Sequence, residues 1–542
     1  MASGFRISDT EEVVINSLDD FMALSDFEAM DRNYAAMAVI IRSACDKYLN
    51  RGAVDHPTNG DEKLTKKIGN YSKGLPHNSI GEVDLNAYSS FYTAMTQGAA
   101  HPELFDRIVL GGVRKLVNPQ NGLTFNIVGP DPQSLVMDPP PSVLSDEAMG
   151  ELIENYWMSV CRDVPFAEYD TNPLTIAAAA DLSNRRVFNG PKVGGLVTTA
   201  TLFRASFEGC LVGPYMSQFM YLPTPFGSTS ISQLQKTYVP NVNYMQDFTN
   251  FLRIQNGLLP TQTQQYDSVL RMIRNGRDLA AYVAVDVLYQ AYQNAALILM
   301  TKPSASSQMA GIGAPLSPNN PYASGTDAAA TQVGFGAFGD SHLMEAFVSV
   351  CTASLGCCWF QKWQVHRRLR PEAMGGLLYN EVNGIASYGL SDDYLTSTVF
   401  TENGGNYLLD QAYNNGSPLH PSAPPGHCIV AFACITILKC WFRPDFVIRN
   451  PVVCTDDGLD LQPYVGPPLT VIGELHKLAV NISLGRDFAG VHFRSELIPG
   501  ALLGEEVAIQ VLRDQANCYN ESFSGWKLTK LDGSVITIGK NN

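Results

Sequence analysis

Residues 419–442 read LHPSAPPGHCIVAFACITILKCWF. From Cys428 to Phe442 only Thr436 and Lys439 interrupt an otherwise apolar run. A helix that is apolar all round is a buried helix. The Pro- and Gly-rich loop ahead of it leads straight into that helix's first turn. The unpaired N–H groups of such a start, reinforced by the helix dipole, make an anion site. Gly426 permits close backbone approach, His427 falls in the first turn, and His420 and His427 bracket the loop. An ordinary capped helix entry with surface histidines is the plainer explanation of the stretch taken alone.

Working outward, the chain offers two further groups of the same character. Upstream, Asp340-Ser341 offers an N-cap and Leu343 to Phe360 is apolar nearly all round, which predicts a second buried helix. The run then turns basic through Lys362, His366, Arg367, Arg368 and Arg370, and Pro371 is expected to stop it. On one helix, the eight residues from Lys362 to Arg370 give an offset of roughly 80°, so both would face one site about two turns apart. A solvated basic helix end that complements the dipole accounts for the same residues. Downstream, Val471, Leu475, Leu478, Ile482 and Arg486 follow helical spacing, so Arg486 continues an apolar stripe. A guanidinium buried there must find an anion, and Asp487 is the nearest candidate. The helix is expected to loosen near Gly490 and to turn His492 towards the same place.

Together these stretches supply two guanidiniums, one ammonium, a helix N-terminus and three histidines. Six of the nine histidines lie beyond residue 340. No carboxylate cluster is evident beside them, which makes a divalent cation a poor fit. The set suits a tetrahedral or trigonal-bipyramidal oxyanion, with one histidine to bond the central atom and another to exchange protons.

Lys362 with Arg370-Pro371, then Pro424-Pro425-Gly426-His427, then Arg486 with Gly490-Val491-His492 resemble the three-part signature of the vanadium-dependent haloperoxidase and acid phosphatase superfamily. The eight-residue Lys-to-Arg step and the His420-Pro421-Ser422 lead-in look like the algal and cyanobacterial bromoperoxidases. The phosphatase branch has an aspartate four residues after the last histidine, where this chain has Glu496. The resemblance implies an all-α fold of helical bundles with a small C-terminal β-hairpin. It implies vanadate bonded by His492 and held by Lys362, Arg370, Arg486 and the Gly426 N–H. It gives His427 acid–base work, His420 the halide side, and Lys362 the polarisation of bound peroxide. Hydrogen peroxide, a halide (bromide, or iodide or chloride) and an organic acceptor would be the reactants. An acid phosphatase-like phosphomonoesterase with a histidine nucleophile is the alternative. One position departs from the pattern: Pro425 stands where the family usually has serine, so a hydroxyl donor and an N–H are both missing there. Calcium is left open, because the loop before the Lys362 helix offers only Asp327 and Asp340 as carboxylates. The relatives resembled are intertwined dimers assembled into dodecamers, so a homo-oligomer is implied, with the N-terminal helices serving assembly.

The remainder of the 542 residues is consistent with that reading. Lys and Arg number 37 against 52 Asp and Glu, a net charge of −15, which argues against a nucleic-acid partner. Only 16% of residues are charged and 45% are hydrophobic, so the chain buries much and part of its surface is expected to face other subunits. No signal core follows Met1, and the best membrane candidate, Ala280 to Met300, is interrupted by Asp286, Gln290 and Gln293. A soluble, cytoplasmic protein with no membrane partner is expected. Eleven cysteines, several in apolar runs, are expected to stay reduced. Helices are predicted over 33–50, 148–163, 268–300 and 472–486, and a hairpin around Asp532-Gly533 within 527–538. Long irregular loops are predicted over 129–142 and 301–336. The second divides a helical N-terminal scaffold (1–300) from a catalytic region (337–542), though the two may be read as one continuous domain.

Overall fold

The fold is built round the stretch 426–441, which forms a helix buried at every residue except His427. In the computed structural model, residues 54–303 and 311–539 are described, together with 4–8, 11–14, 36, 39–41 and 43–45. The longer helices among them are α1 Leu85–Gln97, α2 Asp146–Val160, α3 Pro173–Ser183, α4 Phe248–Gln255, α5 Gly276–Val285 and α6 Gln290–Met300. Beyond the long loop come α7 Asp340–Phe360, α8 Pro371–Val382, α9 Gly426–Trp441, α10 Val471–Phe488 and α11 Leu497–Ala516. The central α9 packs on α7, α10 and α11. One hydrophobic core runs from Ile68 to Ile538 and includes residues from both sides of the 301–336 loop, such as Trp157, Leu299, Phe347, Phe432 and Trp526.

The fold is mostly helical, with the expected hairpin closing the chain: Trp526–Thr529 pairs antiparallel with Val535–Ile538. Four further antiparallel pairs had no clear alternation to announce them, namely Gly4–Ser8 with Glu11–Val14, Thr224–Phe226 with Thr229–Ile231, Gln235–Tyr238 with Tyr266–Arg271, and Val452–Cys454 with Leu461–Pro463. Each strand is only three to six residues long, too short for a period of two to stand out. The helix expected over 33–50 falls largely outside the described residues, of which 36, 39–41 and 43–45 are helical. Likewise 304–310 lies outside them, and the described remainder of 301–336 is irregular apart from a single turn at Ala328–Ala330.

Three local expectations are corrected. The 268–300 stretch is a strand followed by two helices, and the chain leaves helical geometry at Asp286, whose ψ is 142°. Gly339, with no side-chain cap, precedes α7 in place of Asp340-Ser341, and the His342 ring accepts the Phe338 N–H at 2.9 Å. Lys362 and Arg370 do not share a helix. The wide turn Gln361–His366 is a π-helix that ends α7. Arg367, at φ 42°, then reverses the chain and donates its N–H to the Lys362 carbonyl at 3.0 Å. Pro371 therefore begins α8 rather than ending α7, where its missing N–H costs nothing.

Among the described residues, Asp340–His366 is the helical stretch long and apolar enough to cross a membrane, and 67% of its apolar window is buried inside the fold. No disulfide is formed among the described residues.

Candidate functional site

The ends of three buried elements converge beside the start of α9. The π-turn after α7 carries Lys362, the residue capping α8 is Arg370, and the end of α10 carries Arg486 with His492 just beyond it. A π-turn inside a helix is a common marker of a functional site; here it aims the Lys362 ammonium at the 420–422 loop. Lys362 Nζ donates to the carbonyls of Pro421 (2.8 Å) and Ser422 (2.6 Å). Arg370 spreads its guanidinium across the site. Its Nε donates to the His420 carbonyl at 3.0 Å, Nη1 to the Val491 carbonyl at 2.7 Å and to His492 Nε2 at 2.9 Å, and Nη2 to His420 Nδ1 at 3.0 Å. Arg486 Nη1 donates to the Val283 carbonyl at 2.6 Å and to Tyr413 Oη at 3.3 Å, while its buried Nε has no hydrogen-bond partner among the described residues.

The geometry thus brings Lys362, Arg370, His420 and His492 together, with Arg486 close enough to act electrostatically on Lys362 and Arg370, and with Gly426 beside Trp359. Gly490, at φ 82°, ends α10 and swings His492 back, as expected from the sequence. Pro425 is the N-cap of α9 and supplies no side-chain cap, so nothing on the residue before Gly426 competes for the helix's first N–H groups. Trp359 closes one wall: its ring lies 5.0 Å from that of His420, and a Cβ on Gly426 would stand 3.4 Å from it. That is ordinary contact, so side-chain crowding alone does not require glycine at 426.

Asp487 is not the partner of Arg486, contrary to expectation. It is buried on the other side of α10, where its charged neighbours are Arg494, Glu154, Glu496 and Glu151. Adjacent residues on a helix point about 100° apart, so Arg486 and Asp487 serve different clusters.

Two single carboxylates accompany the site, and no metal-holding group of acids and histidines forms among the described residues. Each one backs a histidine. His492 Nδ1 donates to Glu496 Oε2 at 2.7 Å, and His427 Nε2 lies 3.0 Å from Asp286 Oδ1. Glu496 was legible in principle, four residues after His492 on a helical turn. Asp286 is 141 residues from His427, and nothing in the local sequence links them; the break between α5 and α6 is what delivers it. His427 is partly exposed and faces this acid rather than the cations. Trp359 and Tyr413 also escaped the sequence reading, and Ser422, read there only as part of a motif, has its Oγ 3.4 Å from His492 Nδ1.

The electrostatics follow from burial and crowding. None of Lys362, Arg370 and Arg486 forms an ion pair among the described residues, although all three are buried. Burial, aided by the neighbouring guanidiniums of Arg370 and Arg486, lowers the Lys362 ammonium to about 7. Burial and Arg486 likewise lower Arg370 to about 10. His420 and His492 are pushed well below the usual histidine range, first by burial and then by Lys362 and Arg370. Both are therefore neutral imidazoles near pH 7. For His492, with Nδ1–H given to Glu496, the free lone pair is on Nε2. A cluster of buried cations whose partners are carbonyls, a hydroxyl and neutral imidazoles is arranged to receive an anion.

Comparison with known proteins accords with that chemistry. No family model matches the chain. It is 33% identical to the vanadium-dependent bromoperoxidase of Ascophyllum nodosum over 94% of this chain and 92% of that protein. It is 34% identical to the vanadium-dependent bromoperoxidases of Corallina officinalis and Corallina pilulifera, in each case over 92% of this chain and 97% of the relative. Among solved structures, the homohexameric second vanadate-dependent bromoperoxidase of Ascophyllum nodosum superposes with a TM-score of 0.85 at 29% identity, covering 96% of this chain and 92% of that one.

Proposed function

Because the chain belongs to the vanadium-dependent bromoperoxidase family, we propose that it uses vanadate to oxidise bromide with hydrogen peroxide. The overall change is Br⁻ + H₂O₂ + H⁺ → HOBr + H₂O, and the hypobromous acid brominates organic acceptors; iodide or chloride would react in the same way. One observation carries the placement of vanadate: three buried cations, Lys362, Arg370 and Arg486, have no carboxylate of their own among the described residues.

The donor set fits a tetrahedral oxyanion. Lys362, Arg370, Arg486 and the Gly426 N–H would hold its oxygens through charge-assisted hydrogen bonds. His492 Nε2 would bond the metal, its lone pair directed there because Nδ1–H is given to Glu496. Bound vanadate would supply Lewis acidity that activates the peroxide. His427, at the first turn of α9, would move a proton to or from an oxygen of the bound group, with Asp286, the acid its ring faces, as its partner. Lys362, the only ammonium of the set, would polarise the peroxide. Packed beside Trp359, with the two rings tilted by 37°, His420 would border the halide side. Pro425 contributes neither hydroxyl nor N–H, so the other donors carry the anion alone.

The phosphomonoesterase alternative is not favoured, since the relatives found are bromoperoxidases. A homo-oligomer is the expected assembly, as in the homohexameric relative, and a dodecamer of intertwined dimers is the larger form that the motif resemblance suggests. The functional reading is tested by loading vanadate-free protein with orthovanadate and assaying bromination of a phenol-red-type dye. Turnover should require vanadate, peroxide and bromide together, and His492→Ala should abolish it. Hydrolysis of a phosphate ester without vanadate, and no bromination, would overturn the reading; normal turnover in His492→Ala would overturn the ligand assignment.

A further inference from the structure

We propose that Arg368 and Glu151 are positioning residues that orient His492 from behind through a fixed chain of buried charges. The inference rests on the vanadate reading above and assigns the two residues no contact with the reacting atoms.

The chain starts at His492, whose Nδ1 donates to Glu496 Oε2 at 2.7 Å. The other oxygen, Glu496 Oε1, accepts from Arg368 Nη1 at 3.0 Å. The Nη1 atom also donates to Ser495 Oγ at 3.1 Å, and Nη2 donates to Glu151 Oε1. Glu151 Oε2 in turn accepts the Ser495 N–H at 2.9 Å. The guanidinium lies 4.0 Å over the Phe493 ring, and the Arg368 carbonyl accepts the Ser422 N–H at 3.0 Å. Four segments are thereby locked together: α2 through Glu151, the turn between Lys362 and Arg370 through Arg368, the 422 loop through Ser422, and the 493–496 turn. The side chains of Arg368, Glu151 and Glu496 are 2%, 5% and 0% exposed, so no water competes for these bonds.

The chemistry of the middle residue decides what the chain does. An arginine is charged at every ordinary pH and only donates, so it passes no proton between Glu151 and Glu496. Its planar fork instead spans two carboxylates at once, which the point charge of lysine cannot copy. With Oε1 held by Arg368, Glu496 presents Oε2 to His492 as an acceptor, and the imidazole keeps its proton on Nδ1. The opposite tautomer would place a hydrogen on Nε2, where the metal bond must form. Arg370 Nη1, 2.9 Å from Nε2, already treats that nitrogen as an acceptor. Arg368 and Glu151 thus serve the bond to vanadium, whereas Lys362, Arg370 and Arg486 serve the charge of the anion.

This division provides the test. Inorganic phosphate meets the same cations but needs no bond from Nε2, so the ratio of phosphate to vanadate dissociation constants isolates the histidine's contribution. Both constants are measured by calorimetric titration of vanadate-free full-length protein. Wild-type protein should prefer vanadate. Arg368→Gln should weaken vanadate by about 10–100-fold, the usual cost of losing an outer-shell partner, and phosphate by less than about threefold. Should Arg368→Gln not fold, Glu151→Gln, which keeps the shape and removes one charge, should still shift the ratio by at least about threefold towards phosphate. Equal weakening of both anions, the mark of a merely structural role, overturns the inference. So does an unchanged ratio in the variants when the wild-type protein itself prefers vanadate. A wild-type protein that binds the two anions equally overturns the vanadate reading and this inference with it.

Discussion

Lys362 is the residue whose surroundings differ most from what an ammonium ordinarily has. Its partners are two carbonyls, and burial with Arg370 and Arg486 lowers it to about 7. An anion bound beside it favours the protonated form and raises it again, so binding takes up a proton at pH values above about 7. Affinity therefore falls as pH rises, by up to about tenfold per unit, until the pKa of the occupied site is reached. Sulfate, whose own charge is constant between about pH 6 and pH 9, is the suitable probe. Titration across that range in buffers of different ionisation enthalpy should show affinity decreasing and proton uptake appearing; a flat profile would show that Lys362 stays charged without an anion. Pro425 is the second residue with a consequence of its own. A serine there would return a hydroxyl donor, and a hydrogen bond to a charged group contributes about 1.5–3 kcal/mol. Pro425→Ser should therefore tighten vanadate by about tenfold or more in an equilibrium titration. Unchanged affinity would show that the lysine, the two arginines and the Gly426 N–H suffice.

At the scale of elements, the N-terminus of α9 is only as well placed as the helix behind it. Gly500 and Gly504 of α11 face its first turns. A Cβ on Gly504 would come 2.3 Å from the Ile429 carbonyl and 3.1 Å from the Ala433 nitrogen, and one on Gly500 would meet Cys428 Sγ at 3.1 Å and Pro425 Cδ at 3.5 Å. The two helices touch backbone to backbone, and the Ile429 carbonyl facing Gly504 cannot move aside without moving α9. Gly504→Ala should destabilise the fold by about 1–3 kcal/mol, as overpacking does, despite alanine's better helix propensity. A lower melting temperature in calorimetry checks this; an unchanged or raised one would mean that α9 and α11 separate freely. The reversal between α7 and α8 belongs to the same scale. Read as one helix, Lys362 and Arg370 would be two turns apart. The π-turn, Arg367 at positive φ and Pro371 as a first helical residue instead fold them back around the 420–422 loop.

For the whole molecule, the low charged fraction of 16% and exposed apolar side chains such as Phe125, Val333 and Phe335 leave surface that association would cover. Mass measurement of the native protein should give a closed homo-oligomer, six or twelve subunits; a monomer at every concentration would contradict it. The sequence by itself determined the buried helices, the closing hairpin and the cationic set. Apolar patterning and the residue types at the Lys362, Gly426 and Arg486 motifs are local properties that no packing need supply. The path between Lys362 and Arg370, the separation of Arg486 from Asp487, and the acid behind His427 were decided only in three dimensions. His427 meets an acid 141 residues away, and the chain behind His492 runs through Glu496 and Arg368 to Glu151. Apart from His492 with Glu496, four residues apart, such pairings carry no signature in the sequence, because a buried charge constrains only that a partner arrive, and the packing of distant elements chooses which one does.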